Sequence, residues 1–451
     1  MKSLRLLTLA ALGLVSLAAC GGGNPSSQAP ASSAAPQSSA QPSSAAPQSS
    51  TAPAGTPVKV GLICLHDENS TYDANFINAL AEAVENLGDK VVFESNCLLT
   101  GIDENEECYE AARDLVEKGC NVIFADSFGH DAYMLQAAKE FPNVQFCHAT
   151  GTKTTVNSEV KNFHNAFASI YEGRFMAGYA AGLKLANQHF NDKNDPVKVG
   201  YVGAYPYAEV KSGYTSWFLG VRQALEDLDK DSSKVTMSVK FTNDWYAPVP
   251  EANAAEALIN EGCVLISQHA DSMGAPGTCE ANGIPNITYN IETKDECPET
   301  YLGYSRINWA PYYEAVVNAV YNGTAIEGEV NQNWTGTIAT GSVEFNVNYE
   351  NLAEGATLET YKTMLNTMLT KITEGNYQIF DCAKFQLASA PVGGSIDEDG
   401  HLMSYLADVI DDGTFTGDTE VVVIDGLHRY FAESKFRSAP YFDLDIVGIN
   451  L

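Results

Sequence analysis

Basic residues are scarce in this chain: 26 Lys and Arg stand against 57 Asp and Glu in 451 residues, a formal charge of −31. A body this acidic repels phosphate backbones and anionic lipid surfaces, which argues against nucleic acid as a partner. Catalytic signatures are missing as well. The chain holds no Gly-x-Ser-x-Gly nucleophile elbow, no Gly-x-x-x-x-Gly-Lys phosphate loop and no His-Glu-x-x-His zinc pair, so catalysis has no positive support. With 57 acids to choose from, picking two as a general acid and base would be arbitrary. No Cys-x-x-Cys or His/Cys cluster has metal spacing, and neither a metal nor a cofactor is expected. His148, His164 and His269 read as packing or hydrogen-bonding residues. Beyond the first twenty residues no segment resembles a membrane span.

What is present begins with a leader. Lys2 and Arg5 open it, Leu6 to Ala19 is mostly apolar, and Leu17-Ala18-Ala19-Cys20-Gly21 closes it. This is the pattern of an export signal cut before a cysteine that then carries lipid, so the chain is expected on the extracytoplasmic face of a cell membrane, anchored through Cys20. Loss of Lys2 and Arg5 moves the formal charge from −31 to −33. Residues 21–57 are almost wholly Gly, Ser, Ala, Pro and Gln, with too little apolar surface to offset chain entropy, and read as a disordered tether. Nine cysteines follow Cys20. Their odd number argues against a complete disulfide framework. Cys97 with Cys108, or Cys279 with Cys297, occupy loop positions able to pair, while Cys64 and Cys147 sit in apolar runs as small hydrophobes.

The body repeats itself. Val58-Lys59-Val60-Gly61-Leu62-Ile63 returns as Val197-Lys198-Val199-Gly200-Tyr201-Val202, and Gly119-Cys120-Asn121-Val122-Ile123-Phe124-Ala125-Asp126-Ser127 returns as Gly262-Cys263-Val264-Leu265-Ile266-Ser267-Gln268-His269-Ala270-Asp271-Ser272. The intervals between the matched glycines are nearly equal. Short β-branched runs alternate with helical patterns within each half, so the fold class is α/β, with parallel sheets covered by helices. Some 394 residues follow Pro57, enough for two lobes. Ligands of such sheets bind outside the carboxyl ends of the strands, which puts Asp126-Ser127 and Asp271-Ser272 at sheet mouths. Taken singly, each acid also suits a helix cap. Near the same ends stand Tyr72 with Asp73, Ser127-Phe128, and Asn243-Asp244-Trp245-Tyr246, rings with polar neighbours that suit a planar polar heterocycle. Trp245 and Phe128 would serve equally as core residues.

Ordered elements run from about residue 58 to 347: Ser70-Thr71-Tyr72, Asp126-Ser127-Phe128-Gly129, Phe141-Pro142-Asn143-Val144, His148-Ala149-Thr150-Gly151, Tyr171-Glu172-Gly173-Arg174 with Ala177-Gly178, Val199-Gly200-Tyr201-Val202-Gly203 ahead of Glu209-Val210, Ser267-Gln268-His269-Ala270-Asp271-Ser272 and Asn308-Trp309-Ala310-Pro311-Tyr312-Tyr313. In this order they resemble the basic membrane protein family of lipoproteins, similar to the purine- and nucleoside-binding components of bacterial ABC importers. The resemblance implies a type I periplasmic-binding-protein fold, with two doubly wound parallel-sheet lobes joined by a hinge, and capture of a purine or nucleoside between them. It implies that Tyr72 and Trp245 sandwich the base, that Ser127 and Phe128 shape one wall, and that Gln268, His269 and Asp271 approach from the other lobe. Asn290 and Arg306 fall where nucleoside binders place a ribose-contacting acid and lysine. Asn290 is not an acid, which favours a free base, and the Gln268 and Asn308-Trp309 elements resemble the base-binding branch. Asp73 and Asn308 complete the expected ligand set. Tyr171-Glu172-Gly173-Arg174 is expected to be structural, with Gly178 allowing close helix packing.

The implied organisation is a signal peptide at 1–19, a lipidated cysteine and tether at 20–57, lobes at 58–170 and 171–305, a hinge crossing with lobe completion at 306–390, and a carboxyl-terminal extension at 391–451. Ile372 to Phe380 reads as a helix end running into a strand, and Val421-Val422-Val423-Ile424 before Asp425-Gly426 as a strand and turn. The expected partners are a small-molecule purine or nucleoside and a membrane ABC permease, with the protein monomeric. Two alternatives stay open within a ligand-binding reading or beside it: a surface lipoprotein that signals ligand to a membrane partner, and a surface nucleoside hydrolase, which would release product. An adhesin or structural lipoprotein would bind no small molecule at all.

Overall fold

The structure is a computed structural model that describes residues 53–190, 196–426 and 428–451. The leader, Cys20 and the tether as far as residue 52 lie outside the described residues. Residues 53–57 are exposed, and the Gly55 amide donates to the Tyr321 carbonyl at 2.7 Å.

The first half of the chain builds one parallel sheet. Its strands are β1 (Val58–Ile63), β2 (Val91–Val92), β3 (Leu98–Leu99), β4 (Val122–Ala125), β5 (Gln145–Ala149) and β6 (Phe163–Ala168), with α1 (Thr71–Leu87), α2 (Glu106–Glu117) and α3 (Asp131–Glu140) between them. The second half repeats the plan with α4 (Ile170–His189), β7 (Val197–Gly203), α5 (Ala208–Asp227), β8 (Val235–Phe241), α6 (Pro248–Asn260), β9 (Cys263–His269), α7 (Gly274–Asn282), β10 (Asn286–Tyr289) and β11 (Tyr301–Ile307). The central strands are buried on both faces, which is why they read as unbroken apolar runs. The repeat is literal at the matched glycines. Gly119 and Gly262 follow α2 and α6 with φ of +85° and +90°, the left-handed turn that ends a helix and starts the next strand.

Three crossings join the lobes. The chain leaves the first sheet after β6, returns after β11 through α8 (Ala310–Asn322), and lays β12 (Asn333–Gly336) beside β6 before crossing back to set β13 (Val343–Val347) against β11. The sheet orders are β12-β6-β5-β4-β1-β2, with β3 also on β1, and β13-β11-β10-β9-β7-β8 continued by a last strand described below. All pairs are parallel except β11 with β13. Helix α4 is buried nearly all round. A methyl group at Gly178 would overlap the Trp217 carbonyl, and one at Gly220 the Phe175 carbonyl, so α4 and α5 meet backbone to backbone.

After α9 (Tyr349–Leu352) and α10 (Gly355–Thr373) the tail forms β14 (Gly394–Ile396), β15 (Leu402–Ala407), β16 (Thr419–Glu420), β17 (Val422–Asp425), β18 (His428–Phe431) and β19 (Ile449–Asn450). The first three make a small antiparallel sheet, β17 and β18 a hairpin, and β19 joins the second lobe's sheet beside β8. Tail residues Leu402, Val421, Phe431, Phe442 and Leu444 share one core with α4 and α5. The strand expected after α10 does not form. Gly375 turns the chain at φ +72°, Ile379 and Phe380 are buried, Phe380 against Tyr171, Phe431 and Phe442, and the segment meets β18 only at a single antiparallel bridge between Asp381 and Tyr430. The nine cysteines are all buried and unpaired. Cys97 lies not beside Cys108 but 3.7 Å from Cys120, sulfur to sulfur.

Candidate functional site

The strand ends of the two lobes converge on a pocket, about 400 Å³ counted with the solvent at its mouth, lined by Leu65, His66, Tyr72, Asp73, Ser127, Phe128, Thr150, Glu209, Trp245, His269 and Asp271. Its first wall starts at the turn between β1 and α1. Ser70 caps α1, and its hydroxyl donates to Asp73 Oδ2 at 2.5 Å while the His66 amide donates to Oδ1 at 2.8 Å. Burial works to raise Asp73, but these bonds outweigh it and hold the carboxyl below its ordinary value. Burial likewise opposes charge on His66, yet the neighbouring Asp73, 3.5 Å from Nδ1, holds that imidazole above its usual value. Tyr72 is fixed by its hydroxyl, which donates to the Asp126 carbonyl at 2.9 Å.

The loop after β4 supplies Ser127 and Phe128. Glu104 accepts from the Ser127 hydroxyl at 2.6 Å and the Gly129 amide at 2.7 Å, and His148 Nε2 meets the Ser127 carbonyl at 2.6 Å. Ser127 is therefore braced from behind. Phe128 stays 52% exposed and faces Tyr207 of the other lobe, ring centroids 6.5 Å apart.

The second wall comes from the ends of three strands, β7, β8 and β9. Trp245 packs edge-on to Tyr205 at 5.3 Å and is tilted to Tyr207 at 6.0 Å, and its carbonyl accepts from the Asp271 amide at 2.9 Å. His269 Nε2 lies 3.2 Å from Glu209. Burial holds this imidazole below its ordinary value, against the opposing pull of the Glu209 carboxyl. Burial, with Glu251, Asp73 and Glu209 nearby, pushes the Asp271 carboxyl well above the usual range. The lobes touch here: the Thr71 amide donates to the Asp271 carbonyl at 2.8 Å.

Seven of the residues proposed from sequence thus meet in one pocket: Tyr72, Asp73, Ser127, Phe128, Trp245, His269 and Asp271. Four do not line it. Gln268 is buried and turns its amide back to the Ala270 and Ser272 carbonyls at 3.0 and 3.3 Å, shaping the loop under Asp271. Asn290, in the left-handed region at φ +76°, donates to Asp271 Oδ1 at 3.2 Å and orients that acid from behind. Arg306 pairs across β11 and β13 with Glu344 at 2.7 Å, a cross-strand match that turns it from the cleft. Asn308 accepts from the Ala310 amide at the start of α8 at 3.2 Å and donates to the Gly341 carbonyl and Glu344 in the crossing segment. Sequence reasoning missed Leu65, His66, Thr150 and Glu209. Glu209 and Thr150 stood inside quoted elements without a ligand role, and His66 follows the first strand in a loop that carried no motif.

Cys64, Asp73 and Asp126 form the one cluster among the described residues with metal-ligand spacing. Its groups already serve the fold. Asp126 accepts from the Leu65 amide at 3.1 Å, Asp73 is engaged as above, and burial pushes both the Cys64 thiol and the Asp126 carboxyl well up, which disfavours the anions a metal requires.

Among the described residues no Lys or Arg lines the pocket, whereas Asp73, Glu209 and Asp271 do. The model of the Bmp family, described as ABC transporter substrate-binding protein PnrA-like, matches residues 60–375. This chain belongs to the Bmp family. A purine-binding protein of Brucella abortus is 33% identical to this Bmp protein over 270 residues, 59% of this chain and 70% of that one. A putative ABC transporter glucose-binding protein of Haloferax volcanii is 30% identical over 204 residues, 45% of this chain and 47% of that one. An ABC transporter solute-binding protein from Conexibacter woesei matches in structure with a TM-score of 0.53 at 17% identity, covering 71% of this chain and 98% of its own. That last likeness is one of fold alone, the type I periplasmic-binding-protein fold with two α/β lobes. As a Bmp protein the chain is a solute-binding component that presents a small molecule to an ABC permease on the extracytoplasmic side. No helix among the described residues is long and apolar enough to cross a membrane.

Proposed function

We propose that this Bmp protein captures a purine base or nucleoside between its lobes and delivers it to the permease, held at the membrane by lipid on Cys20 and acting as a monomer. The observation that carries this reading is the pairing of ring faces with acceptors. Tyr72 and Trp245 line a pocket whose polar groups include Asp73, Glu209 and Asp271 and, among the described residues, no Lys or Arg. A flat heterocycle rich in N–H donors satisfies both features, stacking on the rings and donating to the acids. The purine-binding relative from Brucella supports the same ligand class. Closure is the working step: contacts from both lobes stabilise the shut form, which the permease reads.

The test is calorimetric titration of protein unfolded and refolded to strip carried-over ligand, against adenine, guanine, hypoxanthine, adenosine, guanosine and glucose. Micromolar or tighter binding of a purine, weakened about 10-fold to 100-fold in Trp245→Ala, supports the reading, since loss of one base-stacking ring is worth about 1–3 kcal/mol. Binding of glucose alone would move the ligand to the class named for the Haloferax relative. Product release on incubation would revive the hydrolase. Cys20→Ser should release the protein from the membrane fraction, and retention there would overturn the lipid anchor.

A further inference from the structure

Phe128, Thr150, Glu209 and Trp245 line a second space as well, a chamber of about 1410 Å³ counted with the solvent at its mouth. Its outer wall is tail: Asp408, Asp411 and Phe415 from the loop between β15 and β16, and Arg437 with the turn after it. All of these lie beyond residue 375, where the family match ends.

The wall is fixed to both lobes. Asp411 accepts from the Thr152 hydroxyl at 2.8 Å and Lys153 Nζ at 3.1 Å, and its amide donates to the Thr155 hydroxyl at 3.0 Å. Asn165 Nδ2 donates to the Ser438 hydroxyl at 2.7 Å. On the second lobe Lys211 pairs with Asp443 at 2.5 Å, the Ser212 hydroxyl donates to Glu433 at 2.6 Å, and β19 extends the sheet.

The chamber's chemistry is selective. Four carboxylates face it, Asp131, Asp408, Asp411 and Glu209, against two cations. Both cations are engaged: Lys153 by Asp411, and Arg437 by the carbonyls of Asp408, Val409, Ala439 and Pro440 at 2.9 to 3.2 Å. Among the described residues no free cation is left there to hold a phosphate, and the acids repel one. What remains is acceptor-rich surface beside open aromatic faces, with Tyr207 51% and Phe415 89% exposed.

We propose that this outer chamber is a subsite for an uncharged, hydroxyl-bearing substituent on the ring held in the inner pocket, such as the sugar of a nucleoside, and that the tail loop around Asp411 and Phe415 sets this preference and excludes nucleotides. The inference rests on the purine reading above and narrows it. Asp411 also shields Lys153, so its removal leaves a free cation in the chamber.

The experiment titrates base, nucleoside and 5′-monophosphate of adenine and of guanine into the wild type, Phe415→Ala and Asp411→Ala. Both side chains sit on a loop outside the core, and unfolding midpoints report that each variant folds. The wild type should bind the monophosphate at least about 100-fold more weakly than the nucleoside. Phe415→Ala should weaken the nucleoside about fivefold and leave the base unchanged, and Asp411→Ala should strengthen the monophosphate about tenfold. Bases that bind the wild type with nucleoside-to-base and monophosphate-to-nucleoside ratios unmoved by either variant would overturn the outer subsite and leave the purine reading standing. A monophosphate bound as tightly as the nucleoside by the wild type would overturn it equally. A wild type that binds no member of either series overturns the purine reading and this inference together.

Discussion

Asp126 and Asp271 end matched strands of a repeated unit, and the two lobes use them differently. In the first lobe the acid ties the sheet end to itself: Asp126 accepts from the Leu65 amide, stands against Cys64 and does not line the pocket. In the second lobe that tying is done by others. Arg174, fully buried, donates to Tyr201, Ser267, Gln268, Thr288 and Ser305 across the second lobe's strand ends, and Gln268 holds the loop. Asp271 is thereby freed to line the pocket. A sequence repeat fixes where a residue falls in the topology, while the job it does there depends on which neighbour has taken over the internal bonds.

The largest expected effect follows from that division. Arg174→Ala should lower stability by about 3–5 kcal/mol, because it removes a large buried side chain and orphans several carbonyl and hydroxyl groups. Denaturant unfolding measures it, and a loss below about 1 kcal/mol would mean that the second lobe's strand ends are held some other way. Next comes a buried acid away from either strand end. Glu433, bonded to Ser212 and Ser434, is pushed up to about 7 chiefly by burial. A raised acid supports the fold below its unfolded value near 4.5, and that support is lost as pH climbs through about 7. Glu433→Gln should therefore match the wild type near pH 4 and exceed it at pH 8 by up to about 3 kcal/mol. Parallel curves across pH 4–8 would count against a neutral acid at this junction.

The comparison itself is tested by paired truncations. Asp271→Ala should weaken purine binding about 10-fold to 100-fold, the worth of a buried hydrogen bond of about 1–3 kcal/mol, while leaving the unfolding midpoint near the wild type's. Asp126→Ala should do the reverse, lowering stability by about 1–2 kcal/mol through the orphaned Leu65 amide with purine affinity changed no more than about threefold. Equal losses of affinity in both variants would erase the distinction between the two acids.

The parallel strands and their repeat were legible because strands buried on both faces must be apolar runs, and Gly119 and Gly262 mark the same left-handed turn in each half. That Tyr72, Trp245, His269 and Asp271 come together at one pocket was legible because clefts of such sheets gather at strand ends. Arg306 was not, because its partner Glu344 arrives on an antiparallel edge strand 38 residues away. Gln268 differs from His269 only in which way a buried side chain turns, and no local pattern records that. The tail escaped for a stronger reason. Its apolar residues contact α4 and α5 across more than two hundred positions of chain, and the motif order that organised the rest stops before it.

The bonds of the tail to both lobes also have a meaning in time. Widening the cleft on its first-lobe side requires Asp411 to part from Thr152 and Lys153, or Ser438 from Asn165, whether or not a ligand is inside. If those bonds must break before the cleft opens, release would have a clock of its own, set by the tail as well as by the grip of the pocket. Stopped-flow dissociation should run faster in Asp411→Ala even for a free base whose equilibrium affinity is unchanged, and identical rates would remove the tail from the clock.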